Sequence, residues 1–162
     1  MIIRHADTAD CDGILRIWNP VIRETDLTFN DVAKTPVDLA DLLTDKRERG
    51  QPFLVADHDG EIRGFATYGQ FRNSSGYRKT AEHTIILSPT ARGEGLGRRL
   101  LTEIESLARS RDIHSMIAAI SHSNKSGVGF HAALGYREIA RLPEVGRKFN
   151  RWFDLVLMQK LL

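Results

Sequence analysis

What the 162 residues lack narrows the field first. A single cysteine, Cys11, rules out an internal disulfide and suits a reducing compartment. It falls in the expected first helix with no matched base beside it, which argues against a nucleophilic thiol. No apolar run approaches the ~20 residues that a membrane-crossing helix needs. The opening Met1-Ile2-Ile3-Arg4-His5-Ala6-Asp7 has no apolar secretory segment, so a cytoplasmic location is expected. Neither charge dominates: 23 Lys and Arg against 21 Asp and Glu leave +2, which argues against nucleic acid as the main partner. His, Cys, Asp and Glu nowhere fall at metal-ligand spacing, so no metal is expected. Two common phosphate loops are also missing. No Gly-x-x-x-x-Gly-Lys-Ser/Thr string occurs, and Gly93-x-Gly95 is followed by Arg98 where the dinucleotide fingerprint needs a third glycine.

What is present suits one globular domain over residues 1–162, with 41% hydrophobic and 27% charged residues. The central stretch runs from Glu82 to Glu105. Thr80–Leu87 is an apolar, β-branched strand ending at Ser88-Pro89. A loop rich in Gly and Arg follows. Then Leu96, Leu100, Leu101, Ile104 and Leu107 recur at helical spacing. A strand, a glycine loop and a helix N-terminus together aim unpaired backbone N–H groups and a positive dipole end at one point, where phosphate fits best. The local excess of Arg92, Arg98 and Arg99 suits the same ligand.

Around this centre the chain alternates between periods. Ile2–His5 reads as a strand, and Asp7 or Thr8 caps a helix with Ile14, Leu15, Trp18, Val21 and Ile22 on one face. Asn19-Pro20 should end or bend it, and Arg23–Lys34 should be loop. Thr35-Pro36 starts a second helix with Leu39, Leu42 and Leu43 inward and Gly50 as its C-terminal cap. Phe53–Ala56 and Ile62–Tyr68 are strands joined at His58-Asp59-Gly60. Gln70–Lys79 is a polar loop. Met116–Ile120 is a strand, Ser126–Leu134 a helix stopped by Gly135, Tyr136–Arg141 a strand, Pro143–Asn150 a loop and Trp152–Met158 a last strand. The order β-α-α-β-β-β-α-β-α-β-β predicts an α/β (α+β) fold: a central mixed sheet of about seven strands with about four helices on both faces.

Arg92-x-x-Gly95-x-Gly97 resembles the pyrophosphate loop of the GNAT superfamily, the Gcn5-related N-acetyltransferases. The order of elements resembles the GNAT fold over the whole chain. Four clusters narrow the resemblance to the phosphinothricin and methionine sulfoximine N-acetyltransferases and bacterial L-amino acid N-acyltransferases: Gly69-x-Phe71-Arg72; Gly76-Tyr77-Arg78-x-Thr80-x-Glu82-His83; His131-x-x-Leu134-Gly135-Tyr136; and Val145-Gly146-x-Lys148-Phe149-x-x-Trp152-x-Asp154. The resemblance implies acetyl-CoA as co-substrate, held between two splayed parallel strands, Thr80–Leu87 and Met116–Ile120. It implies a small amino acid or analogue as acceptor, and a homodimer.

Acetyl transfer to an amine needs a base, because the α-amino group has a pKa near 8. It also needs a polarised thioester and a donor for the leaving thiolate. Glu82 is the candidate base, a strand carboxyl beside the glycine loop. His83, one residue on, should face the other side of the sheet and support the structure. His131 stands where the resemblance places the group that serves the thiolate. Arg92, Gly93, Glu94, Gly95, Leu96, Gly97 and Arg98 would surround the pyrophosphate. The backbone of Ile85, Ile86 and Leu87 would pair with the pantetheine arm, as would the Asn124 side chain. Arg72 and Arg78, with Tyr77 between them, would hold the acceptor carboxylate. Phe29, Lys148 and Trp152 would close the pocket. Ile85-Ile86-Leu87, Asn73-Ser74-Ser75 and Ser121-His122-Ser123 depart from the group pattern and leave the identity of the amine open.

Overall fold

A computed structural model describes residues 1–162. Strand β1 (Ile2–His5) is followed by a 3-10 turn capped reciprocally by Asp7 and Asp10, which leads into helix α1 (Cys11–Glu24). Arg4 bridges the carboxylates of Asp10 at 2.7 Å and Asp57 at 2.8 Å, tying β1 to the start of α1 and to strand β2 (Phe53–His58). Helix α2 (Pro36–Glu48) opens with the expected proline and a Thr35–Asp38 capping box. Gly50 follows it at φ +64°, the left-handed position for a C-terminal cap. Strand β2 turns at Asp59 and Gly60, both at positive φ, into β3 (Glu61–Gln70).

Strand β4 (Thr80–Leu87), helix α3 (Leu96–Arg109), strand β5 (Ser115–Ser121), helix α4 (Lys125–Ala132) and strands β6 (Arg137–Lys148) and β7 (Arg151–Leu161) complete the fold. The seven strands form one sheet in the order β1-β2-β3-β4-β5-β7-β6. Every pairing is antiparallel except β4 with β5. One face carries the larger core, where Leu96, Leu100, Leu101 and Ile104 of α3 meet Leu54, Tyr68, Met116, Ile120 and Val156 of the sheet. The other face carries α1 and α2, with Ile14, Leu39 and Leu43 against Phe53, Val55 and Phe65. This is the predicted mixed sheet of seven strands and four helices.

Two local expectations fail. Helix α1 does not end at Asn19-Pro20 but runs on to Glu24, with Pro20 inside it. Pro20 is exposed, whereas Ile22, two residues on, is fully buried, and burial of the apolar face outweighs the breaker. The Pro143–Asn150 stretch is not a loop. Pro143–Lys148 is the second half of β6, with an irregular register between Leu142 and Gly146, and only Phe149-Asn150 is a turn. An edge strand tolerates proline because its N–H is not needed by a neighbour. Asp154 secures the irregularity, accepting the backbone N–H of Glu144 at 2.9 Å and an ion pair from Arg141 at 2.6 Å.

The β6–β7 connection is the two-residue turn Phe149-Asn150, with φ +51° and +60°. Both conformations are left-handed, and an aromatic side chain suits the first poorly. Phe149→Asn should raise stability by about 1 kcal/mol, read as a higher urea midpoint at unchanged slope.

Candidate active site

The parallel pair is short. Thr80, Ala81 and Glu82 pair with Ser115, Met116 and Ile117, and there the ladder stops. From His83 to Leu87, β4 remains paired with β3 on one side only. β5 continues beside β7 through Ser121. The two strands therefore diverge at Glu82 and leave a gap bordered by an unpaired edge of each, which is the predicted splay. Ile85 and Leu87 turn their side chains to the larger core and Ile86 to the smaller one. Only their backbone groups are available at the β4 edge.

The glycine loop lies beyond the end of β4. Gly95, at φ +75°, is the residue before α3, and neither a side-chain cap nor an acidic residue occupies the first turn. The free N–H groups there are satisfied by no protein side chain, which leaves them able to take an anion. Arg92 and Arg98 are exposed beside them, as is Gly93 at φ +82°. Gly97 does a different job: a Cβ there would sit 3.2 Å from Phe130 and 3.3 Å from Leu87, so its smallness lets α3 start against β4 and α4. Leu96 is 2% exposed and offers only its backbone. Glu94 lies 3.9 Å from Arg63 of β3. Asn124 caps α4, its Oδ1 accepting Gly127 N–H at 2.9 Å and the Ser126 hydroxyl at 3.1 Å, and leaves its amide NH₂ free to donate.

Glu82 is half-buried at the point of divergence. Burial raises its carboxyl above the usual range, and the Arg72 guanidinium pulls it back. Its cross-strand partner is Gly69, so no side chain stands over it there. His83 turns to the opposite face, as expected, and is buried. Its ring stacks on that of His131 with centroids 5.1 Å apart. The His131 Nδ1 donates to the Gly127 carbonyl at 2.7 Å, which fixes the tautomer and leaves Nε2 as a lone pair. Burial lowers the His131 value and drives His83 down to about 3. At neutral pH both rings are uncharged, so His131 offers an acceptor before it can offer a proton. Glu82 and His131 thus flank β4 from opposite faces.

Behind the two histidines stands a polar group that sequence reasoning missed. Tyr136 meets both rings edge-on, at 5.6 and 5.3 Å. Glu105, 4% exposed, raises the Tyr136 phenol further and receives Lys160 at 2.6 Å and Arg109 at 3.5 Å. The signal was legible: an acid one residue after Ile104 on the inward side of α3.

The Gln70–Lys79 loop holds Arg72 with its guanidinium 5.0 Å from the Phe71 ring, and Tyr77 edge-on to Phe71 at 6.2 Å. The Gln70 amide ties the loop by donating to the Arg72 and Ser74 carbonyls. Arg72 is the cation whose field reaches Glu82; both Arg72 and Arg78 are exposed. Trp152 is 53% exposed beneath Arg147, beside a surface hollow of ≈ 290 Å³ lined by His122, Arg151 and Asp154. Lys148 is buried and Phe29 is half-buried. No group of His, Cys, Asp and Glu is arranged to hold a metal ion, and no helix is long and apolar enough to cross a membrane.

A strand that parts from its parallel neighbour, a glycine loop and an uncapped helix also define a known family. The acetyltransferase (GNAT) domain profile matches residues 3–157. The chain belongs to the GNAT acetyltransferases. It is an N-acetyltransferase that uses acetyl-CoA. An L-methionine sulfoximine/L-methionine sulfone acetyltransferase of Pseudomonas paraeruginosa is 43% identical over 161 residues, covering 97% of this chain and 92% of that one. Among solved structures, a ribosomal-protein-alanine N-acetyltransferase of Brucella melitensis superposes with a TM-score of 0.97 at 37% identity, over the full length of both chains. A Salmonella typhimurium putative acetyltransferase, solved with its cofactor acetyl-CoA, superposes at 0.96 and 36% identity, over 100% of this chain and 94% of that one.

The histidine stack has a measurable cost in acid. Between the ordinary value of 6.5 and about 3, the unfolded chain takes up a proton at residue 83 that the folded chain refuses. Stability is complete above pH ~6.5 and falls below it by about 1.4 kcal/mol per pH unit for this one group. The loss in unfolding free energy between pH 7 and pH 5 should shrink by about 2 kcal/mol in His83→Phe, measured by urea titration.

Proposed function

We infer that the protein transfers the acetyl group of acetyl-CoA to the α-amine of a small amino acid or analogue, in the class of methionine sulfoximine, methionine sulfone and phosphinothricin. The observation that carries this is Glu82: a half-buried carboxyl with a raised value, at the residue where β4 leaves β5, with Arg72 the cation nearest in effect. Acetyl-CoA would bring an activated acyl group as its thioester. The N–H groups of the α3 N-terminus, with Arg92 and Arg98, would hold its pyrophosphate, and the open edge of β4 and the Asn124 amide its pantetheine arm. Glu82 takes the proton of the ammonium, directly or through water, and the freed amine attacks in a ternary complex with no covalent enzyme intermediate. A backbone N–H of β4 would stabilise the oxyanion. The acyl C–S bond would then break and the coenzyme leave as its thiolate, while the nitrogen sheds its second proton; His131, with its tautomer fixed by Gly127, would accept that proton at Nε2 and pass it to the thiolate. Arg72 takes the acceptor carboxylate in a two-pronged contact, with Tyr77 and Arg78 behind it.

The catalytic unit spans residues 1–162, acts in the cytoplasm and works as a homodimer. Supporting the dimer, Leu155 and Leu157 of β7 turn away from the core on a side of the sheet that no helix of this chain covers, and Ile139 and Val145 of β6 are exposed nearby.

A second acceptor is favoured by one observation, the likeness to the Brucella melitensis ribosomal-protein-alanine enzyme. In that reading a protein N-terminus enters the cleft and Arg72 is dispensable. One experiment separates the two. Thiol release from acetyl-CoA is followed across L-amino acids, methionine sulfoximine and sulfone, phosphinothricin and alanine-initiated peptides. A free amino acid should turn over, and Glu82→Gln should reduce its kcat about 10²-fold or more. Peptide turnover alone would overturn the reading. Arg72→Ala should raise KM for the free amino acid at least about tenfold while leaving KM for acetyl-CoA within about twofold.

A further inference from the structure

The gap between β4 and β5 divides the sheet into two parts. β1 to β4 carry α1, α2 and α3, and β5, β7 and β6 carry α4. On the face of α1 and α2, one segment passes from the first part to the second. It is the connection that follows α1, residues 25–34. Its far end is fixed to α1 by the Asn19 side chain, which donates to Lys34 O and accepts from Lys34 N, both at 2.9 Å. Its near end is fixed to the β6–β7 hairpin. There the Lys148 ammonium, 4% exposed, donates to the carbonyls of Thr25 at 2.6 Å and Thr28 at 2.9 Å. The Phe29 ring stacks on Phe153 at 5.7 Å and lies directly over Gly146, where a Cβ would come within 2.2 Å of it. Arg151 reaches Asp26 at 3.4 Å.

These fastenings join elements more than a hundred residues apart, and they lie where the strands have already parted. Parallel strands share their C-terminal ends. Asp154, which receives His122 N–H, stands just past the end of β5, so the hairpin end sits at the open end of the gap. Phe153 and Gly146 are cross-strand partners. Phe153 faces opposite to Val156 and Met158 of the larger core, so its side is that of α1, and of Glu82. We propose that Lys148 is a positioning residue: it closes residues 25–29 as a strap across the open end of the cleft and so sets the width of the acceptor pocket, with its ammonium committed to the two carbonyls rather than to the acceptor. A lysine suits this because one ammonium can donate to two carbonyls from a flexible stem. Gly146 and Phe29 supply the matching interlock.

The kinetic part rests on the acceptor reading above; the strap itself does not. Lys148→Met and Lys148→Arg are compared with the parent by hydrogen exchange and by kinetics. In Lys148→Met the amides of residues 25–34 should exchange about tenfold faster or more, while those of β5 and α3 keep their rates. KM for the acceptor should rise about tenfold, with kcat and KM for acetyl-CoA within about twofold, and Lys148→Arg should recover most of both effects. Unchanged exchange in Lys148→Met overturns the strap whatever the acceptor is. Faster exchange with both KM values unchanged, or raised together, overturns the link to the acceptor pocket. If no free amino acid is turned over, the acceptor reading falls and the exchange result still decides the strap. Asn19→Ala, which frees the other end, should reproduce the exchange effect without touching Lys148.

Discussion

The structure depends on one interrupted ladder. β4 and β5 share three paired positions and then part, although every other strand of the sheet is paired along most of its length. An unpaired strand edge inside a protein is costly unless something takes up its N–H and C=O groups. The partner that would restore the pairing is an extended molecule with amide groups of its own, which is the character of a pantetheine arm. The adjoining features follow from the same demand. The loop must return close to the end of β4, which needs glycine at positive φ, and α3 must begin against that strand, which needs Gly97.

A sheet parted down its middle must be held together elsewhere. On the α3 face, the buried Glu105 of one half meets Lys160 of the other at 2.6 Å, in surroundings where screening by salt is weak. On the opposite face, residues 25–29 are fastened to the β6–β7 hairpin. At the point of parting sit Glu82 on one side and the His83–His131 stack on the other. One carboxyl is pushed up by burial and two imidazoles are pushed down by the same cause. In all three burial disfavours the charged form, and for Glu82 this makes the carboxylate a stronger base than an ordinary one.

Much of this was legible in the sequence. Period 3.6 in Leu96–Leu107, the β-branched run before Ser88-Pro89 and the spacing of glycines marked the centre, because each reflects a local rule. Thr35-Pro36 and Gly50 marked α2 for the same reason. The errors came where distant contacts decided. Pro20 did not end α1, because the apolar face beyond it is buried. Pro143 did not make a loop, because β6 is an edge strand steadied by Asp154. The candidate site was legible as residue types, since the chemistry proposed for Glu82, His131 and Arg72 follows from their identity. Their orientation was not. Nothing local tells that His131 gives its Nδ1 proton to Gly127, or that Lys148 spends its ammonium on carbonyls 120 residues away.

Cys11 gains a meaning from where it lies. It is 6% exposed, in the smaller core with Ile14 and Phe53, and burial raises its thiol above the ordinary value. An enzyme that handles a thioester is exposed to a side reaction: any accessible thiolate of its own can intercept the acyl group and keep it. By placing its one thiol in a hydrocarbon interior, the fold leaves the cofactor's sulfur as the only one in play, and the protein cannot acylate itself through sulfur while it waits for an amine.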